Sequence, residues 1–399
     1  MMAISQRYNV LLEHAMAASR YSTYKGTLMK SIKIAILSLL VVSLTACIFS
    51  GRDVARELKG VFMKENKMGF STAVFAPRYY PIELVAGESF WMYDDGSRRG
   101  FYAHAGGGWR TAGADASGGS RIPDGINLTW LAPIEGKYYH VRARLPKAEI
   151  ERQFQRKLTM DFEDTPDTEQ FKQIQLALAP GGFVSVRLGW AEVVEIAQFQ
   201  AEEVDIPWEY FAQANHFNPE GLSEEKYLAG FVKDQPKKIQ AQKANGTFPI
   251  GRWKTFNTQK FPWYLSTPLD VYGYTEFLIN GNTTFTPQSE VDLTTYAGEK
   301  AVPAWYRLYF KHEGIRYQAA IVFSKSDPDS KEMPSGDVET FEIFKKFFAE
   351  NKEPAALMVN IIDGKLVADL TVDGITMQHV PLHGSFYRQL KDNEYKWFK

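Results

Sequence analysis

Along most of this chain apolar and polar residues alternate with the two-residue period of half-buried strands, and turn residues interrupt them at short intervals. Phe70–Ala76 alternates apolar and small side chains. Ser89–Tyr93 and Gly100–His104 flank Asp94-Asp95-Gly96, whose Asp-Gly step predicts a hairpin. Asn127–Leu131 and Lys137–Leu145 flank Glu135-Gly136 in the same way. Phe171–Leu178 and Phe183–Leu188 flank Ala179-Pro180-Gly181-Gly182, and Val193–Phe199 continues as a strand. Gly106–Ser120, rich in Gly, Ala and Ser, predicts an exposed loop. Helical spacing occurs in Pro146–Lys157, through Ile150, Phe154 and Leu158, and in Val338–Glu350, through Phe341, Phe344, Phe347 and Phe348. A charged stretch broken by Pro236 reads as a partly helical linker over 213–247, and strands resume after Phe248.

The second half follows the order of the first. Leu128–Leu145 and Tyr306–Phe323 each read as strand, Glu-Gly turn, strand, with Glu135 and Glu313, Gly136 and Gly314, and Tyr139 and Tyr317 all 178 residues apart. A helix and then a second hairpin follow in both, the second hairpins turning at Gly182 and at Asp363-Gly364. The expectation is an α+β fold of two β-rich units, each an antiparallel sheet with a helix on one face. Two readings stay open: an internal repeat, or two unrelated α+β units, since Glu-Gly turns are common.

The longest apolar run is near the start, Ile34–Ala46, and its 13 residues are too few to cross a bilayer as a helix. Lys30 and Lys33 precede it, and it ends Leu44-Thr45-Ala46-Cys47, the order of a secretory signal. This ending resembles the lipobox of bacterial lipoproteins. The resemblance implies cleavage before Cys47, a diacylglyceryl thioether on its sulfur, and a fatty acid such as palmitate on its freed amine. Three chains make such an anchor effectively permanent. Ile48, Phe49 and Ser50 follow the cysteine, with no aspartate directly after it, which by the sorting rule for such lipoproteins implies the outer membrane of a Gram-negative cell, periplasmic face. Residues 1–28 add nothing to the signal, so translation is expected to begin at Met29; the alternative is an unusually long n-region.

Composition narrows the classes. With 45% hydrophobic and 23% charged residues the chain is globular, which excludes a disordered, collagenous or multi-span protein. A net charge of -1 supplies no basic excess for nucleic acid. Cleavage before Cys47 would leave 353 residues with 41 basic and 46 acidic side chains, a net of -5. The single cysteine excludes disulfide frameworks and cysteine-bound zinc. No G-x-S-x-G elbow is present, Ser117 has no evident base, and Gly106-Gly107-Gly108 leads into Trp109-Arg110 rather than a phosphate-binding Lys-Ser/Thr. His379 and His383 have metal-ligand spacing for a helix, but Pro381 between them argues for a strand. Asp94-Asp95 and Asp161, Glu163 and Asp164 read as solvated turn residues. The aromatic content of 14% leaves Trp91, Trp109, Tyr138, Trp190, Trp253 and Trp263 as candidates for a binding surface, against ordinary sheet packing. No catalytic, cofactor or metal residue is therefore assigned, and no enzymatic activity is expected.

Phe171–Val204 reads FKQIQLALAPGGFVSVRLGWAEVVEIAQFQAEEV; APRYYP lies upstream at 76–81, with Gly251-Arg252-Trp253 and Phe261-Pro262-Trp263 downstream. Together these resemble the uncharacterised bacterial lipoproteins grouped as domain-of-unknown-function family 2931, over roughly residues 65–265. Glu192–Glu195 and the long linker depart from the family pattern. The resemblance carries no catalytic residue. Family members often stand beside type VI secretion phospholipase effectors, which implies a periplasmic immunity protein that binds a secreted lipase. The alternatives are a structural or assembly lipoprotein of the outer membrane and, less favoured, an envelope hydrolase. The expected organisation is a mis-annotated leader (1–28), a lipoprotein signal peptide (29–46), a tether (47–67), a first α+β domain (68–212), the linker (213–247) and a second α+β domain (248–399), anchored to the membrane through Cys47.

Overall fold

The alternating segments form strands. In the first half these are β1 (Phe70–Phe75), β2 (Ile82–Leu84), β3 (Phe90–Met92), β4 (Arg98–Gly100), β5 (His104–Ala105), β6 (Ala114–Gly119), β7 (Gly125–Ala132) and β8 (Lys137–Arg144). Helix α1 (Lys147–Gln155) leads to β9 (Lys157–Met160), β10 (Asp167–Gln170), β11 (Gln173–Ala179), β12 (Phe183–Gly189), β13 (Val193–Gln200) and β14 (Glu202–Val204). Four short helices follow: α2 (Trp208–Ala214), α3 (Glu224–Val232), α4 (Lys237–Asn245) and α5 (Arg252–Thr258). The second half holds β15 (Trp263–Ser266), β16 (Asp270–Leu278), β17 (Thr283–Thr286), β18 (Pro303–His312) and β19 (Ile315–Val322). After α6 (Gly336–Glu350) come β20 (Ala355–Ile362), β21 (Lys365–Val372), β22 (Ile375–His379), β23 (Phe386–Lys391) and β24 (Glu394–Trp397). This computed structural model describes residues 69–110, 113–160, 167–189, 192–287, 290–293, 295–323, 336–391 and 394–397. The expected leader, signal peptide, tether and Cys47 lie outside them, as do Asp161, Glu163, Asp164 and Trp190.

The fold is α+β, mostly sheet. An 11-stranded sheet runs β24-β23-β19-β18-β16-β17-β13-β12-β11-β1-β6. A seven-stranded sheet contains β14-β8-β7-β2-β5, with β3 also paired to β7 and β4 to β3, and a four-stranded sheet runs β15-β20-β21-β22. Residues 68–399 form one compact unit, and the large sheet passes through both expected domains.

Both halves make the same connections. The hairpin β7–β8 leads through α1 to the hairpin β11–β12; β18–β19 leads through α6 to β20–β21. In each half the first strand lies parallel to the first strand of the hairpin that follows the helix, β1 on β11 and β15 on β20. The second strand crosses to the other sheet, β2 onto β7 and β16 onto β18. Among the described strand pairs these two are the only parallel ones, so the unusual step in each half is the same step. Of the two readings left open by the sequence, the topology favours the repeat.

Each half buries its core between two sheets and a helix. In the first, Trp91, Ile126 and Trp130 face Val74, Ile174 and Leu176, with Ile150 and Phe154 of α1 closing one side. In the second, Phe341, Phe344 and Phe348 project from one stripe of α6, as their spacing requires. Phe344 meets Trp263 edge-on at 5.6 Å and Phe348 stacks on Phe261 at 5.6 Å.

The expected Gly106–Ser120 loop is corrected by β6, an edge strand of the large sheet. Small residues are needed there by contact rather than by flexibility. A Cβ on Gly119 would sit 2.7 Å from the Phe70 ring, and one on Gly113 2.6 Å from the Phe75 ring.

The halves meet where β13 pairs with β17 at Val193 and Thr283. Arg187 is buried behind this junction, donating from Nη1 to Trp109 O (2.9 Å) and from Nε to Ser185 Oγ (3.1 Å), its guanidinium 4.3 Å from the Trp109 ring centre. Burial lowers its pKa to about 9. The acidic departure from the family pattern works here too. Glu192 accepts from Phe285 N (3.0 Å) and Arg156 (3.1 Å), and Glu195 N donates to Asn282 Oδ1 (3.1 Å).

Candidate functional site

The segments that carry the family resemblance are far apart in sequence, yet most of them converge on one ledge. The Ala179–Gly182 turn places Gly181 and Gly182 at φ +76° and +78°, conformations that favour glycine. Glu135, from the turn between β7 and β8, is buried beneath; its Oε2 accepts from Tyr139 OH (2.7 Å) and from Gly181 N (3.0 Å). The Phe199-Gln200-Ala201 end of β13 closes the other side. Ala201 N donates to Gly182 O (2.9 Å), and the Gln200 amide to Gly181 O (2.6 Å).

APRYYP and Gly251-Arg252-Trp253 build the aromatic support. Tyr80 is buried edge-on against Trp253 at 5.6 Å and donates to Gln242 Oε1 of α4 (2.5 Å). Trp253 continues to Trp109 and Trp109 to Phe183, each at 6.2 Å. The turn before α5 leaves Ile250 65% exposed, although it covers Gly181, where a Cβ would lie 2.6 Å from Ile250 Cγ2.

Two half-buried cations flank this apolar tip. Lys243 lies over the Glu-Gly turn, its Nζ 2.7 Å from where a Gly136 Cβ would stand, and Arg252 lies 5.6 Å from the Trp253 ring centre. Burial lowers the pKa of both, with Glu135 partly opposing the shift at Lys243 and Tyr80 at Arg252. Burial also raises the Glu135 carboxyl, against its bonds from Tyr139 and Gly181, and pushes the Tyr80 phenol up to about 12. An exposed aliphatic tip on rigid aromatic backing, rimmed by partly desolvated cations, has the anatomy of a protein contact.

The other sequence candidates are dispersed. Ser117 sits in β6 and donates to Gly100 O (3.1 Å). His379 pairs with Asp369 (3.0 Å) and His383 with Glu339 (3.5 Å), on different elements. Among the described residues no group of three or more His, Cys, Asp and Glu is placed to hold a metal ion. Asp95 is bound to Arg121 (2.7 Å) in its turn. Trp91, Trp109, Tyr138, Trp253 and Trp263 are all buried, so of the two readings of these five the structure supports ordinary packing over a binding surface. Phe261 and Trp263 of Phe261-Pro262-Trp263 pack beneath α6, in the same buried cluster as Tyr80, Trp109 and Trp253.

A second constellation had no signal in the sequence. Glu83 of β2 is 2% exposed and accepts from Tyr102 OH (2.6 Å), Tyr227 OH and Asn215 Nδ2 (3.2 Å), with His104 Nδ1 3.7 Å away. Burial pushes this carboxyl up, but His104, Tyr102, Tyr227 and Asn215 together outweigh it and hold the pKa below the ordinary value. The cluster fastens α2 and α3 to the seven-stranded sheet, so the expected linker is docked.

The fold is α+β, and Ile250 forms an exposed ledge over buried aromatic rings. Residues 57–251 match the family model described as "Protein of unknown function (DUF2931)". This region, just under half of the chain, belongs to that family. No curated protein and no solved structure matches the chain. Among the described residues no helix is long and apolar enough to cross a membrane.

Proposed function

We propose that this protein is a lipoprotein anchored through Cys47 to the periplasmic face of the outer membrane, where it binds another protein without catalysing a reaction. The partner we propose is a type VI secretion phospholipase effector, against which the protein confers immunity. The observation that carries the reading is the convergence of the resemblance segments on the Ile250 ledge, flanked by Lys243 and Arg252. The lipobox supports the anchor. A membrane-active toxin works at the bilayer surface, and anchoring concentrates an inhibitor there.

The test is periplasmic co-expression with the phospholipase effector encoded beside this gene. Wild type is expected to protect cells. Ile250→Asp is expected to lose protection at unchanged protein level, because it puts a charge at the centre of the contact without touching the core. Cys47→Ser is expected to move the protein from the membrane to the soluble fraction. Equal killing with and without the wild-type protein refutes the immunity reading.

A further inference from the structure

The two halves join head to tail, and the join protects only one of two equivalent strand edges. In the first half the sheet after the helix runs β1-β11-β12-β13, and β17 of the second half closes the outer edge of β13. In the second half the equivalent sheet runs β15-β20-β21-β22. Among the described residues no strand lies beyond β22.

This edge is built to pair. Asp373-Gly374 forms a two-residue turn with both residues at positive φ, closing on the pair Val372 and Ile375. Such a turn hydrogen-bonds its closing pair, so the N–H and C=O of the next residue, Thr376, point away from β21. Ile375 is 66% and Met377 54% exposed. The strand, Ile-Thr-Met-Gln-His, contains no lysine or proline of the kind that guards open edges. A register shift bends it only after Thr376; in β13 the shift likewise lies beyond Val193, where β17 pairs.

We propose that the outer edge of β22 binds an extended strand of a partner protein, antiparallel, as β17 binds β13. Apolar side chains of that strand meet Ile375 and Met377, and a basic residue near its C-terminal end meets the exposed Asp373. A second copy of this chain is disfavoured as the occupant. The first-half counterpart of β17 is β5, since each is the outer antiparallel neighbour of the strand beside the hairpin. α3 lies against β5 through Phe231, which stacks on His104 at 5.6 Å. The head of the repeat is therefore occupied at His104, while among the described residues its tail is open, which is how an array presents one end to another protein. The inference deepens the protein-binding reading but does not depend on the Ile250 ledge.

The probe is the acetylated and amidated peptide Thr-Val-Thr-Val-Thr-Lys, titrated into the full chain in detergent. The control peptide has proline in place of both valines. Peptide binding is read by anisotropy, and amide exchange at Thr376 by NMR or mass spectrometry. The peptide is expected to bind and to slow exchange at Thr376, and the control is expected not to. Thr376→Pro, which removes an outward N–H and no ladder bond, is expected to abolish binding. Met377→Lys, which leaves the backbone intact, is expected to weaken it about tenfold. Ile250→Asp is expected to bind the peptide normally, so this inference and the ledge can fail separately. No binding at about 1 mM peptide, equal binding of the control, or equal binding by both β22 variants overturns the proposal. Protection of Thr376 in the free chain also overturns it; sedimentation then tells a second copy from a segment of the same chain.

Discussion

Tyr227→Phe tests whether the 213–247 region is held by the Glu83 cluster. The substitution removes one hydroxyl, which donates to a carboxylate 2% exposed to solvent. The ring keeps its neighbours, Trp208 at 5.2 Å, Phe217 at 5.1 Å and Phe231 at 5.2 Å, so packing is unchanged. A hydrogen bond to a charged group contributes about 1.5–3 kcal/mol. Glu83 retains Tyr102 and Asn215 and is not left bare, so a loss of ~2 kcal/mol is expected. For a chain of this size that lowers Tm by roughly 3 °C. Tryptic cleavage at Lys237, Lys238 and Lys243 is expected to accelerate. Because hydrogen bonds hold the Glu83 pKa below its unfolded value, its contribution is complete above the unfolded pKa and is lost as pH falls through the folded one. The variant is therefore expected to differ most from wild type near neutral pH and least in acid. An unchanged Tm and cleavage rate at neutral pH, or a difference that grows in acid, refutes the clasp.

Glu135 has the opposite sign, since burial raises its pKa; its contribution is present below the unfolded value and lost as pH rises through the folded one. Glu135→Gln is expected to flatten that part of the pH–stability curve and to cost less than about 1 kcal/mol at neutral pH, read by urea unfolding. Gly182→Ala imposes φ +78° on a residue with a Cβ and places that Cβ 2.9 Å from Tyr139 Cδ1. Its expected cost is about 2–3 kcal/mol, with loss of near-ultraviolet signal from Tyr139. Trp263→Ala empties a fully buried site beneath α6, with an expected cost of about 3–5 kcal/mol by the same unfolding assay.

Much of the strand framework was legible because side-chain period and turn chemistry are local. Asp94-Asp95-Gly96, Glu135-Gly136 and Asp363-Gly364 each lie between paired strands, as expected. The phenylalanines of α6 marked its buried face by spacing alone. Composition misled at Gly106–Ser120, where small residues permit close approach to Phe70 and Phe75 rather than mobility.

By itself the sequence determined the hairpins, the helices α1 and α6 and the family region, and it carries the expectation of an anchor at Cys47, all of which depend on neighbours along the chain. Tertiary structure decided what long-range contact controls. It brought Glu135, Gly181, Lys243, Ile250 and Trp253 to one ledge and gathered Glu83, Asn215 and Tyr227 from positions up to 144 residues apart. It also made the Glu-Gly likeness between halves secondary to a shared parallel crossover, and among the described residues left β22 open where β13 is closed. Periodicity records which face of a strand is buried; it carries no information about which strand lies at its edge.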